Sequence, residues 1–153
     1  MRPAVGSPAP PLTLPATNGA SVSLAEHAGH RNVLVAFFPL AFTSTCTAEL
    51  CAMTDDYSQF AAHDVAVIAI SVDSVPTLKE FKARHTIGVD LASDFRRDVS
   101  RAYGVLNEER FLSNRAYFLI DKAGIVRWSH VEKVNGERRE NAEIFAAIAS
   151  LPR

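Results

Sequence analysis

Residues 33 to 51 read VLVAFFPLAFTSTCTAELC, and this stretch decides which fold the chain is expected to adopt. Its start, VLVAFF, is a continuous apolar run, which is typical of a strand covered on both faces. Pro39 ends that run, and from about residue 47 to residue 62 apolar side chains recur at spacings of three and four, as on one face of a helix. Both cysteines of the chain, Cys46 and Cys51, lie where the predicted strand gives way to the predicted helix.

Strands and helices alternate in the rest of the chain. VAVIAISV predicts a second buried strand, VPTLKEFKARH an amphipathic helix and FRRDVSRAYG a further short helix. AYFLI, DKAG and IVRWSHV predict a hairpin, followed by a last helix from about residue 137 to residue 151. Residues 3–20 carry five of the eight prolines, which favours an extended start and an N-terminal edge hairpin within LTLPATNGASVSL. This order predicts a single domain over residues 1–153, with an α/β fold and a central sheet of mixed polarity.

Composition and charge exclude several classes of function. The formal net charge is −1, and the chain has neither a basic stripe nor a glycine-rich loop that could cradle phosphate, so nucleic acid is not an expected partner. No stretch approaches the roughly 18 apolar residues of a membrane-spanning helix. The first residues, MRPAVGSPAPP, lack the apolar run of a signal peptide, so we expect a cytoplasmic protein without a membrane partner. In a reducing cytosol, two cysteines point to catalysis, redox chemistry or metal binding rather than to a permanent disulfide.

Cys46 is the first candidate for chemistry, because it falls in the first turn of the predicted helix. Free backbone N–H groups and the positive end of the helix dipole stabilise a thiolate there, and Ser44 or Thr45 is expected to cap the helix. The thiolate is the nucleophilic form of cysteine, so Cys46 is predicted to be reactive. The alternative is that Cys46 is a small apolar core residue, as many free cysteines are.

The residues around Cys46 resemble the active-site pattern of the peroxiredoxins, which are thiol peroxidases: proline, three residues, threonine or serine, two residues, cysteine. Pro39, Thr43 and Cys46 match it, and the resemblance continues through IAISVDSVPTLKEF, ASDFRRDVSRAYGV and SNRAYFLIDKAGIVR, over most of residues 6 to 131. FFPLAFT is similar to the one-cysteine alkyl hydroperoxide reductase E type, whereas the cysteine spacing is similar to the bacterioferritin-comigratory or Q type. The resemblance implies a thioredoxin-like fold and a peroxidase that reduces hydrogen peroxide, organic hydroperoxides or both, without a cofactor or a metal.

The resemblance also implies roles for individual residues. Cys46 would attack the peroxide and become a sulfenic acid, Thr43 would hydrogen-bond the sulfur and the peroxide, and Pro39 would shield the sulfur from water. Arg115 matches the family's arginine, whose fixed donors hold the thiolate and polarise the O–O bond. Glu49 matches an acidic position of the family and could orient Arg115 through a charge-assisted hydrogen bond. Taken singly, each residue also has an ordinary explanation, such as a turn residue or a surface cation.

Cys51 is the only other thiol of the chain, and a sulfenic acid needs a second thiol. Five residues along a helix separate two Cα atoms by roughly 8 to 9 Å, whereas a disulfide needs less than about 7 Å. We therefore expect the first helical turns to unwind after oxidation, so that Cys51 resolves Cys46 as a disulfide. A thioredoxin-like protein or a low-molecular-weight thiol would then reduce that disulfide. Alternatively, Cys51 packs in the core and an external thiol reduces Cys46 directly.

Other classes of function stay open on the sequence alone. Zinc could bind the two cysteines together with His27 and His30, although these histidines lie in a predicted loop. A thioredoxin-type oxidoreductase would need C-x-x-C in place of the observed C-x4-C. A non-catalytic peroxide sensor would use the same activated thiolate. By resemblance, apolar residues from Pro39 to Phe42 could also form the surface of a homodimer.

Overall fold

Nine strands and five α-helices follow one another along residues 2–151, the part of the chain that this computed structural model describes. The strands are β1 (Thr13–Pro15), β2 (Ser21–Ser23), β3 (Asn32–Phe37), β4 (Val65–Ser71), β5 (Leu91–Ser93), β6 (Leu106–Asn107), β7 (Leu112–Ser113), β8 (Ala116–Ile120) and β9 (Val126–Val131). The helices are α1 (Ser44–Asp55), α2 (Tyr57–Ala62), α3 (Val75–His85), α4 (Asp98–Ala102) and α5 (Asn141–Ala149), with a short 3-10 helix at Ala25–His27.

Five of these strands form the central sheet, in the order β5-β4-β3-β8-β9. β3 lies in the middle, parallel to β4 and antiparallel to β8, while β5 extends the parallel side and β9 the antiparallel side. The expected sheet of mixed polarity is therefore confirmed. The predicted N-terminal hairpin is also present, since β1 pairs with β2 and a bridge between Ala16 and Ala92 joins the hairpin to the β5 edge.

Alternation along the strands divides the core into two layers. On one face of the sheet, Tyr117 and Leu119 pack among residues of α1, α2, α3 and α5. On the other face, Phe118 packs with Tyr103 and with residues of the β1–β2 hairpin. Successive side chains of a strand point to opposite faces, so each central strand supplies both layers. Cys46 belongs to the first layer, which places the cysteine helix on the same face as Tyr117.

The helices begin and end at somewhat different residues from those predicted. The helix expected over residues 47–62 starts at Ser44 and is divided at Asp56, where the backbone leaves the helical conformation with φ −103° and ψ 14°. Apolar spacing could not locate that start, because the first residues of α1 are small and polar. The last helix is shorter than predicted, since Arg139 lies in a linking segment before it and pairs with Glu132. None of the helices within residues 2–151 is long and apolar enough to span a membrane.

Candidate active site

The segment between β3 and α1 carries the chain from the sheet into the cysteine helix. Pro39 is buried just after β3, and the backbone N–H of Ala41 donates to Asp73 Oδ2 at 2.8 Å, shortly after β4. Thr43 is the N-cap residue of α1, and Cys46 is the third residue of that helix. Cys46 therefore lies in the first helical turn, at the edge of the sheet where β3 and β4 end.

The N-terminus of α1 differs from the prediction in its cap. Ser44 and Thr45 lie inside the helix, and no side chain within residues 2–151 caps it. The Thr43 hydroxyl donates to the carbonyl of Leu40 at 2.8 Å, and the Thr45 hydroxyl donates to the carbonyl of Gly136 at 3.3 Å. The expected cap by Ser44 or Thr45 is therefore wrong, because the helix starts one residue after Thr43 and these hydroxyls bond to carbonyl groups instead.

Arg115 brings a positive charge to Cys46. It lies directly before β8, and its Nη2 donates to Cys46 Sγ at 3.1 Å and to the backbone carbonyl of Asn135 at 3.0 Å. Cys46 is fully buried, and only 1% of Arg115 is exposed. A buried guanidinium at this distance stabilises negative charge on the sulfur more strongly than one in water would.

Glu49 is the second partner of Arg115. It lies one turn along α1 from Cys46, and its Oε1 accepts a hydrogen bond from Arg115 Nη1 at 2.6 Å. Burial raises the pKa of Glu49, while the charge of Arg115 and the hydrogen bonds from Tyr117 and Arg115 act in the opposite direction. Burial alone would lower the pKa of Arg115, but Glu49 and Cys46 raise it, so the guanidinium stays charged.

Tyr117 extends this chain of buried polar groups. Its hydroxyl donates a short hydrogen bond to Glu49 Oε2 and accepts one from the backbone N–H of Arg139 at 3.1 Å. Burial, together with the neighbouring Glu49, raises the pKa of Tyr117, so the phenol keeps its proton. Both oxygens of Glu49 are thus held by donors from the start of β8, and a continuous series of hydrogen bonds runs from Cys46 to Arg139.

A cavity of about 150 Å³ lies against Cys46. It is lined by Pro39, Leu40, Thr43, Ser44, Thr45, Cys46, Arg110, Leu112, Arg115 and Asn135. The structure therefore brings four of the predicted site residues around one space, with Glu49 behind Arg115 and outside the lining. A space of this size admits a peroxide group, since one water occupies about 30 Å³ in the liquid.

Cys51 lies outside the lining of this cavity. It belongs to the same helix as Cys46 and is partly buried, and both cysteines are free thiols. Because α1 is continuous between them, their Cα atoms are about 8 to 9 Å apart, too far for a disulfide. Asn141 also holds the far end of α1, since its Nδ2 donates to the carbonyl of Ala52 at 2.9 Å. As the helical spacing predicted, the two cysteines are too far apart to form a disulfide while α1 is intact.

The two histidines considered for a zinc site do not join the cysteines. His27 ends the 3-10 helix and lines a separate cavity with Leu24 and Ile120. Within residues 2–151, no three or more histidine, cysteine, aspartate or glutamate side chains are grouped so that they could hold a metal ion. The zinc alternative with His27 and His30 thus has no ligand set in the described part of the chain.

The sequence did not indicate four residues of this region: Asp73, Arg110, Tyr117 and Asn135. A signal for Tyr117 was present, because it follows Arg115 by two positions and residues i and i+2 of a strand share a face. The other three lie outside the regular elements or at their ends, where no periodicity reports the direction of a side chain.

Comparison with known proteins finds relatives of similar length. The model of the AhpC/TSA family matches residues 5–129. The protein named "Alkyl hydroperoxide reductase E" from Mycobacterium tuberculosis is 40% identical over 149 residues, which cover 96% of this chain and 97% of that protein. The "Putative peroxiredoxin bcp" of Coxiella burnetii is 36% identical over 144 residues, which cover 89% of this chain and 94% of that protein.

Solved structures share the fold. The reduced 2-Cys peroxiredoxin of Plasmodium vivax superposes with a TM-score of 0.89 and 31% identity, covering 95% of this chain and 80% of that one. The AhpC of Mycobacterium tuberculosis has the same TM-score of 0.89 at 21% identity, covering 98% of this chain and 93% of that one. The likeness to the second structure concerns the fold alone, and both extend over nearly the whole chain.

Proposed function

This chain belongs to the AhpC/TSA family of peroxiredoxins and is a thiol-dependent peroxidase, and from that premise we propose that Cys46 is the sulfur that attacks the peroxide. The observation that carries the proposal is the 3.1 Å contact between Cys46 Sγ and Arg115 Nη2 beside the cavity. The chain has two cysteines, and Cys51 lies outside the cavity lining. A peroxide bound in the cavity would therefore meet Cys46.

The proposed reaction moves one oxygen from the peroxide to the sulfur. The Cys46 thiolate attacks one peroxide oxygen, so that an S–O bond forms while the O–O bond breaks. The sulfur loses two electrons and becomes a sulfenic acid, and the departing alkoxide or hydroxide takes a proton from solvent and leaves as an alcohol or as water. Arg115 supports this step, because a fixed cationic donor stabilises both the thiolate and the negative charge that develops on the departing oxygen.

Thr43 and Pro39 have supporting roles in this proposal. Both line the cavity, and the Thr43 hydroxyl donates to the carbonyl of Leu40 at 2.8 Å. A rotation about the Thr43 side chain would turn that hydroxyl toward a bound peroxide. Pro39 is buried and lines the cavity, and its ring would limit the access of water to the sulfur. Glu49 holds Arg115 from behind.

The proposed cycle continues with Cys51. Its thiolate attacks the sulfenic sulfur of Cys46, an S–S bond forms, and the hydroxide that leaves is protonated to water. The first turns of α1 must unwind for this step, because the intact helix keeps the two Cα atoms too far apart. Oxidation favours unwinding, since it removes the negative charge that Arg115 stabilises and adds an oxygen to a fully buried side chain. A thioredoxin-like protein or a low-molecular-weight thiol then reduces the disulfide, and α1 forms again.

A one-cysteine cycle is the alternative, and one set of contacts favours it. Unwinding between the two cysteines would pull Glu49 away from Arg115 and Tyr117. Breaking a buried ion pair on one side costs about 3 to 5 kcal/mol. If that cost keeps α1 folded, an external thiol must reach Cys46 through the cavity, and Cys51 has a structural role only.

Intact-protein mass and thiol counting after one equivalent of hydrogen peroxide distinguish these cycles. If Cys51 resolves Cys46, the wild-type chain loses two hydrogens and both thiols, and Cys51→Ser gains one oxygen instead. If Cys51 is structural, the wild-type chain gains one oxygen and keeps one thiol. Cys46→Ser is the matched control, because it keeps Cys51 as the only thiol and is expected to stay unmodified.

Sustained consumption of peroxide with dithiothreitol as the reductant then tests the enzyme against a stoichiometric sensor. Many turnovers are expected for the wild-type chain and none for Cys46→Ser. A wild-type chain that consumes one equivalent of peroxide and then stops, because dithiothreitol does not restore its thiols, would favour the sensor. A Cys46→Ser variant that still consumes peroxide would contradict the assignment of Cys46.

The proposed homodimer would use the exposed apolar residues next to the cavity. Leu40 is 36% exposed and Phe42 is 47% exposed, although the ring of Phe42 also packs on Phe81 with 5.1 Å between centroids. Sedimentation velocity is expected to show a dimer for the wild-type chain and a monomer for Phe42→Asp. Phe95→Asp, which changes an exposed phenylalanine outside this loop, should stay dimeric. A monomeric wild-type chain would exclude the dimer.

A further inference from the structure

Tyr117 is a buried polar residue that the peroxidase chemistry above does not require. Its side chain is fully buried on the site face of the sheet, and its ring centroid lies 6.3 Å from that of Trp128. Packing alone would be served as well by a phenylalanine, which has no hydroxyl to satisfy. The hydroxyl of Tyr117 nevertheless has two partners, the carboxylate of Glu49 and the backbone N–H of Arg139.

The direction of these two hydrogen bonds follows from the chemistry of the groups. A backbone N–H can only donate, so the Tyr117 oxygen accepts from Arg139 at 3.1 Å. An ionised carboxylate can only accept, so the single phenolic hydrogen goes to Glu49 Oε2. Arg139 is itself held in place, because its Nε and Nη2 donate to the buried carboxylate of Glu132 at 2.8 and 3.1 Å. The Tyr117 hydroxyl therefore has one available orientation, and it points at Glu49.

We propose that Tyr117 is a positioning residue of the peroxidase site, holding Glu49 so that Glu49 in turn holds Arg115 against the sulfur of Cys46. This inference rests on the proposed role of Cys46. The geometry behind it is a chain of hydrogen bonds. Tyr117 donates to one oxygen of Glu49, and Arg115 Nη1 donates to the other at 2.6 Å. Arg115 Nη2 then donates to Cys46 Sγ at 3.1 Å. With Oε2 occupied, the carboxylate cannot rotate without losing a hydrogen bond.

Tyr117 also acts on the charge of Glu49. Arg115 and Tyr117 hydrogen-bond that carboxyl from the start of β8, and the charge of Arg138 acts on it from the segment after β9. Cys46 lies about one turn before Glu49 on the same helix. Burial raises the pKa of Glu49, and the hydrogen bond from Tyr117 is one of the effects that oppose this rise. Without the hydroxyl, the pKa of Glu49 rises further, so the carboxylate takes up a proton at a higher pH. A neutral Glu49 no longer pairs with the Arg115 guanidinium.

Tyr117→Phe tests the proposal, with Tyr103→Phe as the matched control. Tyr103 is also fully buried and donates its hydroxyl hydrogen at 2.7 Å, but to the carbonyl of Pro10 on the opposite face of the sheet. The measurement is the rate constant for oxidation of Cys46 by hydrogen peroxide, from quenched flow with alkylation and mass spectrometry, between about pH 5 and pH 9. For Tyr117→Phe we expect a rate roughly tenfold below wild type on the acidic side, with the deficit shrinking as pH rises.

The pH profile separates a positioning role from a structural one. Tyr103→Phe should keep the wild-type rate and profile, even if both variants lose similar stability. A Tyr117→Phe profile within twofold of wild type, or an equal loss at every pH, would overturn the proposal. Should Tyr117→Phe fail to fold, Glu49→Gln replaces it, and the part of the pH dependence assigned to Glu49 must then disappear. If wild-type Cys46 is not oxidised at all, the peroxidase assignment of Cys46 fails, which is a different result from an unchanged Tyr117→Phe.

Discussion

Two buried carboxylates lie near the starts of two helices, Glu49 in α1 and Asp94 before α4, and each is only 1% exposed. Asp94 accepts hydrogen bonds from the backbone N–H of Val99 at 3.2 Å and from the backbone N–H and hydroxyl of Ser100 at 2.6 and 2.7 Å. Glu49 accepts from side chains instead, among them Arg115 at 2.6 Å. The two carboxylates are thus equally buried but have different partners. Asp94 bonds mainly to the backbone of a helix, whereas Glu49 bonds to ionisable side chains.

In the proposed function, the difference distinguishes Asp94, which supports folding, from Glu49, which supports chemistry. Asp94 satisfies backbone donors at the start of α4, and such groups need a partner when they are buried. A buried ion pair such as Glu49–Arg115 contributes little to stability, because apolar groups of the same volume are often as good or better. Arg115 Nε has no hydrogen-bond partner within residues 2–151, which makes its burial less favourable still. We therefore expect changes at Glu49 and Arg115 to affect the reaction, and changes at Asp94 to affect stability alone.

The largest effect is expected when the ion pair is broken on one side. Glu49→Leu leaves the buried Arg115 without its carboxylate, and the free energy of unfolding should fall by about 3 to 5 kcal/mol. The triple variant Glu49→Leu, Arg115→Met, Tyr117→Phe removes all three partners together and should recover most of that loss, while its peroxidase rate stays at least about 100-fold below wild type. Urea denaturation measures the stability of both variants. A triple variant no more stable than Glu49→Leu would mean that the pair stabilises the fold, as Asp94 does.

The next effect concerns the rate of the reaction. Arg115→Met removes the donor to Cys46 and should lower the rate constant for oxidation by peroxide about 100-fold to 1,000-fold, the usual effect of losing one fixed donor. Arg84→Met is the control, because Arg84 is 68% exposed and pairs with Glu80 on the surface of α3. That variant should react at the wild-type rate. If the Arg115→Met chain kept at least a tenth of the wild-type rate, the proposal that the buried Arg115 stabilises the reacting sulfur would be contradicted.

Local patterns predicted the fold where they report directly on packing. The apolar run that became β3, the second run that became β4 and the spacing that became α3 each reflect which side chains are buried. The start of α1 was predicted too late, because its first residues are small and polar and carry no apolar period. The start of α5 was predicted too early, because Arg139 before it is held by Glu132, a tertiary contact that no local pattern reports.

The same distinction applies to the site. Pro39, Thr43 and Cys46 were predicted together because their motif is local, and all three line one cavity. Arg115 is 69 residues away from Cys46 in sequence, and only a family resemblance linked the two. The motif did not point to Tyr117, although it follows Arg115 by two positions, and residues i and i+2 of a strand point to the same face of the sheet. What the residues themselves could not tell is that α1 and the start of β8 would lie close enough to share Glu49.

Glu49 is also expected to make stability depend on pH in a recognisable direction. Its pKa is raised in the folded chain above the ordinary value of 4.5, chiefly by burial. Below that value both states carry the proton, so the contribution to stability is fully present. As pH rises through the folded pKa, the contribution is lost, with a slope of at most about 1.4 kcal/mol per pH unit. Urea denaturation between about pH 5 and pH 8 should show the decline in wild type and not in Glu49→Gln.

Asp121 provides the opposite sign as a control for that measurement. Burial alone would raise the pKa of Asp121, but hydrogen bonds from Arg127 and from two backbone N–H groups of the β8–β9 turn lower it below 3.8. Its contribution is present above that value and is lost as pH falls through the folded pKa. Asp121→Asn should therefore lower the free energy of unfolding at neutral pH and flatten the decline of stability on the acidic side, without altering the decline above pH 4.5 that is assigned to Glu49. A Glu49→Gln variant that keeps the wild-type decline above pH 4.5 would show that another group is responsible.

The smallest effect is expected at Asp94, and it tests whether partners, rather than burial, decide what a carboxylate does. Asp94→Ala removes the acceptor for the N–H groups of Val99 and Ser100, so the free energy of unfolding should fall by about 1 to 2 kcal/mol, as for other lost helix caps. The rate of Cys46 oxidation per folded molecule should stay within about twofold of wild type, since no hydrogen bond connects Asp94 to the series that ends at Cys46 within residues 2–151. Both quantities can be measured on one preparation, by urea denaturation and by quenched flow. If Asp94→Ala slowed the reaction as strongly as Glu49→Leu, a buried carboxylate would influence the sulfur through the general rigidity of the fold. The hydrogen bond between Glu49 and Arg115 would then not be the reason why Glu49 affects the reaction.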